Sequence, residues 1–191
     1  MGRITFPFLN FNYYQGFLLT KQYILHSDLW RISFYVHICS SFIVLIAGFL
    51  QFSSWLLKKF PVVHRFIGKC YVLLVLFLSA PSGLIMGYHA NGGWLAKSSF
   101  MTIAILWWVF TYMAYRRIRK LDFQSHIHWM IRSYALTLSA ITLRTYAFLL
   151  PASVLQLSAK DAYTFVALLS WIPNLLVAEW IIRVRAFNKP I

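Results

Sequence analysis

Along this chain the apolar residues gather in five long runs, at about 30–57, 66–89, 98–115, 127–150 and 162–182, and charged or turn-forming clusters separate them. A helix needs roughly 20 residues to cross a ~30 Å hydrocarbon layer, and each run reaches that length with some tilt. Inside hydrocarbon the backbone must satisfy its own hydrogen bonds, which an open sheet cannot do, so each run predicts a helix. The expected fold is all-α, a bundle of five transmembrane helices over residues 30–186. An N-terminal segment (1–29) precedes it and a short tail (187–191) follows. Pro81-Ser82-Gly83 in the second run and Pro173-Asn174 in the fifth predict local breaks that free backbone carbonyls.

Composition supports the membrane reading. Of 191 residues, 60% are hydrophobic and 12% are charged, against about 25% charged in an ordinary soluble domain. The net charge of +14 needs no nucleic acid to explain it, because loop Lys and Arg set membrane topology. One set of loops holds eleven basic residues: Lys58, Lys59, Arg65, Lys69, Arg116, Arg117, Arg119, Lys120, Arg183, Arg185 and Lys189. The opposite set holds five, Arg3, Lys21, Arg31, Lys97 and Lys160. That asymmetry predicts an N-terminus outside and a C-terminus in the cytoplasm.

The first 29 residues lack a signal-peptide pattern, since Asn10, Asn12 and Gln15 break their apolar stretch. Their aromatics (Phe6, Phe8, Phe11, Tyr13, Tyr14, Phe17) suit either a segment lying at the outer interface or a loose tail. Cys39 and Cys70 sit inside apolar runs without metal-type spacing and are expected to act as small buried hydrophobes.

Ionisable residues within spans carry the candidate chemistry, because hydrocarbon makes them costly. His37 and His89 fall toward the outer side; His64, His126 and His128 fall toward the cytoplasmic side. Neutral imidazole ligates haem iron and transition metals, so His37 with His89, and His64 with His126 or His128, form two candidate axial pairs for haem b, His64 with His128 being the pair carried into the redox reading. The rival reading leaves all of them among headgroups and loop carbonyls. His64 and His89 lie 25 residues apart, or about 37 Å along a helix, a long gap for electron hopping. Arg132 shares a helix face with His128. Arg132 and Arg144 keep their protons and should hold an anion, such as a propionate, a lipid phosphate or a substrate carboxylate, unless Arg144 snorkels to the headgroups. Glu179 reaches the depth of Arg132, so an Arg132–Glu179 ion pair is expected, with a local Glu179–Arg183 contact as the rival. Gln51 is expected to join the inner polar group.

These residues fall in a recognisable order. Gly48-Phe49-Leu50-Gln51-Phe52, His64-Arg65-Phe66-Ile67-Gly68, Ser82-Gly83, Gly92-Gly93 and His126-Ile127-His128-Trp129-Met130-Ile131-Arg132 through Leu143-Arg144 resemble a bacterial membrane family catalogued as domain-of-unknown-function family 2306. The resemblance covers about residues 30–150 and implies that Gln51, His64, Arg65, Gly68, His128, Arg132 and Arg144 belong to one motif set. More loosely, the layout is similar to small b-type membrane cytochromes, which ligate haem through helix-end histidines. The wide His64–His89 spacing and the extra His126 depart from that layout.

Two functions follow as expectations. One is a redox protein passing electrons between a quinone, or another membrane redox carrier, and a partner. The other is a non-redox accessory subunit of a larger membrane complex, or a small ligand- or lipid-binding protein with a polar intramembrane cavity. No hydrolase, kinase or protease motif is present, and His126 and His128, two residues apart, cannot form a helical zinc pair.

Overall fold

The computed structural model describes residues 8, 10, 12–14, 16–150, 154 and 156–187, with residues 185–187 by backbone alone. Arg3, Phe6, Phe11, Gln15 and the tail at 188–191 with Lys189 lie outside the described residues.

Helix α1 runs over Asp28–Gln51. Ser27 caps its first turn by accepting from the Trp30 amide, and Asp28 there pairs with Arg31, which suits the positive end of a helix dipole. A short exposed helix, α2 (Ser54–Lys59), turns the chain at Ser53 and leads to α3 (Pro61–Leu74), which opens on a proline at its first turn.

The second run contains the expected break in an unexpected form. α3 continues through a π-helical turn, Val75–Ser79, into α4 (Ala80–Tyr88). The Ala80 amide reaches back to the Val75 carbonyl, one residue further than in an α-helix. Pro81 has no amide to offer. Carbonyls released by this turn find side chains: Trp108 Nε1 donates to Leu76 at 3.1 Å, Ser82 Oγ to Leu78 at 2.5 Å, and His37 Nδ1 meets Ser79 at 2.8 Å. π-turns inside helices often mark functional positions.

After a loop with Gly92 and Gly93 at φ +86° and +82°, α5 spans Trp94–Arg119. Leu121 takes φ +60° in the next turn, and Asp122 caps α6 (Phe123–Leu149). Hydrogen bonds from Ser125, with Arg117 close by, hold the Asp122 carboxyl below the usual carboxylate range. The fifth run is interrupted at Ser170 and Trp171, giving α7 (Ala159–Leu169) and α8 (Ile172–Phe187).

Four helical stretches among the described residues are long and apolar enough to cross a membrane: Asp28–Gln51, Pro61–Tyr88, Trp94–Arg119 and Ala159–Val184. α6, the fourth of the five expected spans, is 27 residues long yet is not among these four. Its polarity is directed inward. α6 packs against α1, α5, α7 and α8, and its Ser133, Thr137 and Ser139 are buried. Large apolar side chains such as Phe49, Phe77 and Trp180 point outward instead, as expected for a bundle solvated by lipid. Cys39 is exposed and Cys70 half-buried, so neither is the buried hydrophobe the sequence suggested; both are free thiols on outward-facing parts of apolar helices.

Glycines let the helices meet. A Cβ on Gly48 would lie 2.4 Å from the Tyr134 ring and 2.9 Å from Tyr71. One on Gly87 would press on the α5 backbone at Phe100, 3.1 Å away. Small residues at such crossings are the rule where lipid removes the hydrophobic drive for packing.

Candidate functional site

Two ends of the bundle differ in chemistry. At the basic end, where α1, α5 and α8 finish, Arg132 and Glu179 pair with each other and Gln51 and His126 meet backbone carbonyls, while His64 Nδ1 is buried without a hydrogen-bond partner among the described residues. Arg132 Nε donates to Glu179 Oε1 at 2.5 Å and Nη2 donates to Oε2 at 2.9 Å, a two-point ion pair between α6 and α8. Arg132 also covers the Trp129 ring at 4.8 Å. His128 stands near this pair. His126 faces the other way, and its Nδ1 meets the Ala114 carbonyl at 2.9 Å. His64 stands near His126, and its own carbonyl takes a hydrogen bond from Gln51 Nε2 at 3.1 Å. Gly68 makes room for that glutamine, since a Cβ there would lie 2.9 Å from Gln51 Oε1.

At mid-depth a hydroxyl knot joins α3, α5 and α6. Tyr71, fully buried, places its hydroxyl 2.8 Å from Ser133 Oγ and 2.9 Å from Thr137 Oγ1. Thr111 Oγ1 lies 2.7 Å from Ser133 Oγ. Thr111 spends its proton on the Trp107 carbonyl, so its oxygen accepts from Ser133, whose oxygen accepts from Tyr71, which in turn accepts from Thr137. Every member is satisfied, as a dry interior requires.

Beyond the knot, toward the N-terminal end, the helices part around a cavity of about 790 Å³. Its wall is mainly apolar, with Phe34, Phe100, Ile103, Trp107 and Leu136 among the lining residues. His37, Ser41, Thr137, Ser139, Tyr163, Arg144 and Ser170 supply polar positions, and no Asp or Glu is among the described lining residues. The π-turn positions the histidine: with Nδ1 on the Ser79 carbonyl, Nε2 is left as the acceptor nitrogen, 3.4 Å from Ser41 Oγ. Gly83 clears the ring's place, because a Cβ would fall 2.9 Å from His37 Cε1. Arg144 Nη1 donates to the Ala140 carbonyl at 3.0 Å, on its own helix.

A strap, residues 16–26, lies across this end. It begins with a 3-10 turn, Gly16–Lys21. Gly16 and Phe17 belong to the cavity lining. Leu18 is 0% exposed and packs with Trp30 and Phe34. Lys21 is 1% exposed, with Nζ donating to the His89 carbonyl at 2.5 Å and to Asn91 Oδ1 at 2.7 Å. Burial, with Lys97 nearby, pushes the Lys21 amine down to about 8.

The expected ligand histidines fall in different surroundings. His37 lines the cavity and His89 does not; His89 instead offers its backbone carbonyl to Lys21 and Tyr23. His64 is brought toward His126, whereas His128 is turned toward Glu179. Residues two apart on a helix point to different faces, so one helix rotation cannot serve both. Among the described residues no group of three or more His, Cys, Asp or Glu could hold a metal ion. Lys21, Tyr71, Ser133 and Tyr163 carry site roles that the sequence reading did not assign. Only Ser133 and Thr137, four apart on one helix face, left a readable trace.

A family model described as "Predicted membrane protein (DUF2306)" matches residues 34–182, from within α1 to within α8. No curated protein and no solved structure matches the chain.

Proposed function

The chain belongs to this DUF2306 family of predicted membrane proteins, and on that premise we propose that it is a membrane-embedded binding protein for an apolar molecule with one anionic head. In this reading α6 crosses alongside the other four stretches, making five spans. The basic end faces the cytoplasm of a bacterium and the strap end faces outward across the inner membrane.

The observation that carries the reading is the lining of the cavity. A guanidinium and an imidazole share a wall whose described residues include no carboxylate. In a low-dielectric setting an anionic head beside Arg144 offsets much of the penalty of keeping that charge among helices. His37 Nε2 adds an acceptor for a protonated oxygen on the same head. The aromatic and aliphatic remainder suits an acyl or prenyl chain, and ligand cavities of roughly 300–1,000 Å³ take molecules of that size. Purified in mild detergent, the protein should release on extraction an amphipathic anion near one per chain, and Arg144→Met should lose it. Mass spectrometry finding only bulk lipid, in the same proportions from both proteins, would contradict this reading.

A haem reading draws on the same wall. His37, with Nδ1 fixed by a carbonyl, would hold the iron through Nε2, and Arg144 would take a propionate. Among the described lining residues His37 is the one histidine, so the residues present would hold haem through a single imidazole. Bound haem would supply one-electron chemistry. A Soret band in protein from haem-replete cells, abolished by His37→Ala, would support it; colourless protein would end it.

A further inference from the structure

The cavity is bounded differently at its two ends. Toward the basic end stand Trp107, Leu136 and the satisfied hydroxyl knot, all on long helices. Toward the N-terminal end stand the strap, through Gly16 and Phe17, and the ends of α6 and α7 at Leu150 and Ala159. The strap's apolar hold rests on fully buried Leu18, with half-buried Ile24 and Leu25 beside it and Phe17 stacked on Phe34, whereas Leu19 and Tyr23 are 55% and 59% exposed. Polar bonds to a single loop do the rest. Lys21 donates to His89 and Asn91, Asn91 Nδ2 donates to Thr20 Oγ1 at 3.1 Å, and Tyr23 donates to the His89 carbonyl at 3.2 Å.

A buried ammonium is a finely balanced fastening. Its charge-assisted hydrogen bonds favour docking, and the loss of its hydration opposes docking by a comparable amount. Segments held this way open locally at far lower free energy than the packed helices beneath them. The chain also has places to bend at both ends of the strap: Gly16 sits at φ +49°, and Ser27 is extended just ahead of α1.

We propose that residues 16–26 form a gate over the cavity, latched by Lys21 on the α4–α5 loop, so that ligand loads and leaves at the strap end. The ligand part of this proposal rests on the binding function argued above; the gate itself does not. It is tested in full-length protein carrying Cys39→Ser, Cys70→Ser and Ser139→Cys, which leaves one thiol, on the cavity wall. N-ethylmaleimide should label that thiol slowly, and adding Lys21→Ala or Asn91→Ala should speed labelling about tenfold. Lys58→Ala, at the far end, should leave the rate unchanged. Labelling within twofold of the parent in both monodisperse latch variants would overturn the gate; if Lys21→Ala does not fold, Asn91→Ala decides.

A second readout uses an anthroyloxy-labelled fatty acid as the probe. Its dissociation should quicken in the latch variants. Faster labelling with no probe binding in any variant would keep the gate and remove the ligand assignment. Probe binding with unchanged labelling and unchanged dissociation would do the reverse.

Discussion

Arg132 and Arg144 stand twelve residues apart on α6, about 18 Å along its axis, and the bundle surrounds them in opposite ways. Around Arg132 the chain supplies its own counter-charge and an aromatic face. Around Arg144 it supplies the Ala140 carbonyl and the wall of a large cavity whose described residues include no acid. The same residue type therefore sits in an internal ion pair at the basic end and borders a cavity at the strap end. The contrast extends to their neighbours, since the hydroxyls of Tyr71, Ser133 and Thr111 are spent on one another, whereas His37 presents a nitrogen toward Ser41 and the cavity.

If that division is right, substitutions at the basic end and mid-depth should cost stability, and those on the cavity wall should cost ligand. The largest stability effect is expected from Glu179→Gln, which strips Arg132 of its carboxylate and should cost roughly 2.5–3.5 kcal/mol. Removing both charges, with Arg132→Met and Glu179→Leu, should recover most of it. Unfolding by mixed detergent titration would measure both, and a neutral Glu179→Gln would break the comparison. Gly48→Ala drives a methyl into the Tyr134 and Tyr71 rings and should cost about 1–3 kcal/mol in the same assay. Tyr71→Phe deletes one member of the hydroxyl knot and should cost about 0.6–1.7 kcal/mol; a larger loss would mean the knot bears more of the fold than its hydrogen bonds suggest.

A smaller effect concerns the strap. Because burial holds Lys21 near 8 against 10.5, the docked strap sheds its proton before a released one does. Between those values the released form binds more protons, so raising the pH through that window favours docking; below it both forms are charged and pH has no leverage. Lys97, Tyr23 and His89 lie close by, so the comparison needs Lys21→Met as its reference. A nitroxide on Leu19→Cys should lose mobility from pH 7.5 to 10 in the parent and keep it in Lys21→Met. Equal mobility throughout in the parent would show that the latch is not electrostatic.

The run lengths carried the membrane architecture because hydrocarbon thickness constrains helix length directly. They also placed Arg132 and Glu179 at one depth, where the structure joins them. Depth was legible; azimuth was not. Nothing in the spacing of His64, His126 and His128 says which way α6 is rotated, and that rotation sends His126 toward His64 and His128 toward Glu179. The cavity was hidden for the same reason, since it depends on which faces of α1, α4, α5 and α6 converge. Lys21 read as one more loop charge, because a lysine before an apolar run looks alike whether it meets water or a buried carbonyl. The π-turn was foreshadowed only as a break, by Pro81.

The division between the two arginines is tested most directly by binding, with the anthroyloxy-labelled fatty acid and its neutral alcohol counterpart titrated into parent, Arg144→Met and Arg132→Met/Glu179→Leu proteins. We expect the parent and the Arg132→Met/Glu179→Leu protein to prefer the acid at least tenfold, about 1.4 kcal/mol, and Arg144→Met to bind acid and alcohol alike while unfolding within about 0.5 kcal/mol of the parent. An acid preference that survives Arg144→Met, or that vanishes with the Arg132–Glu179 pair instead, would contradict it.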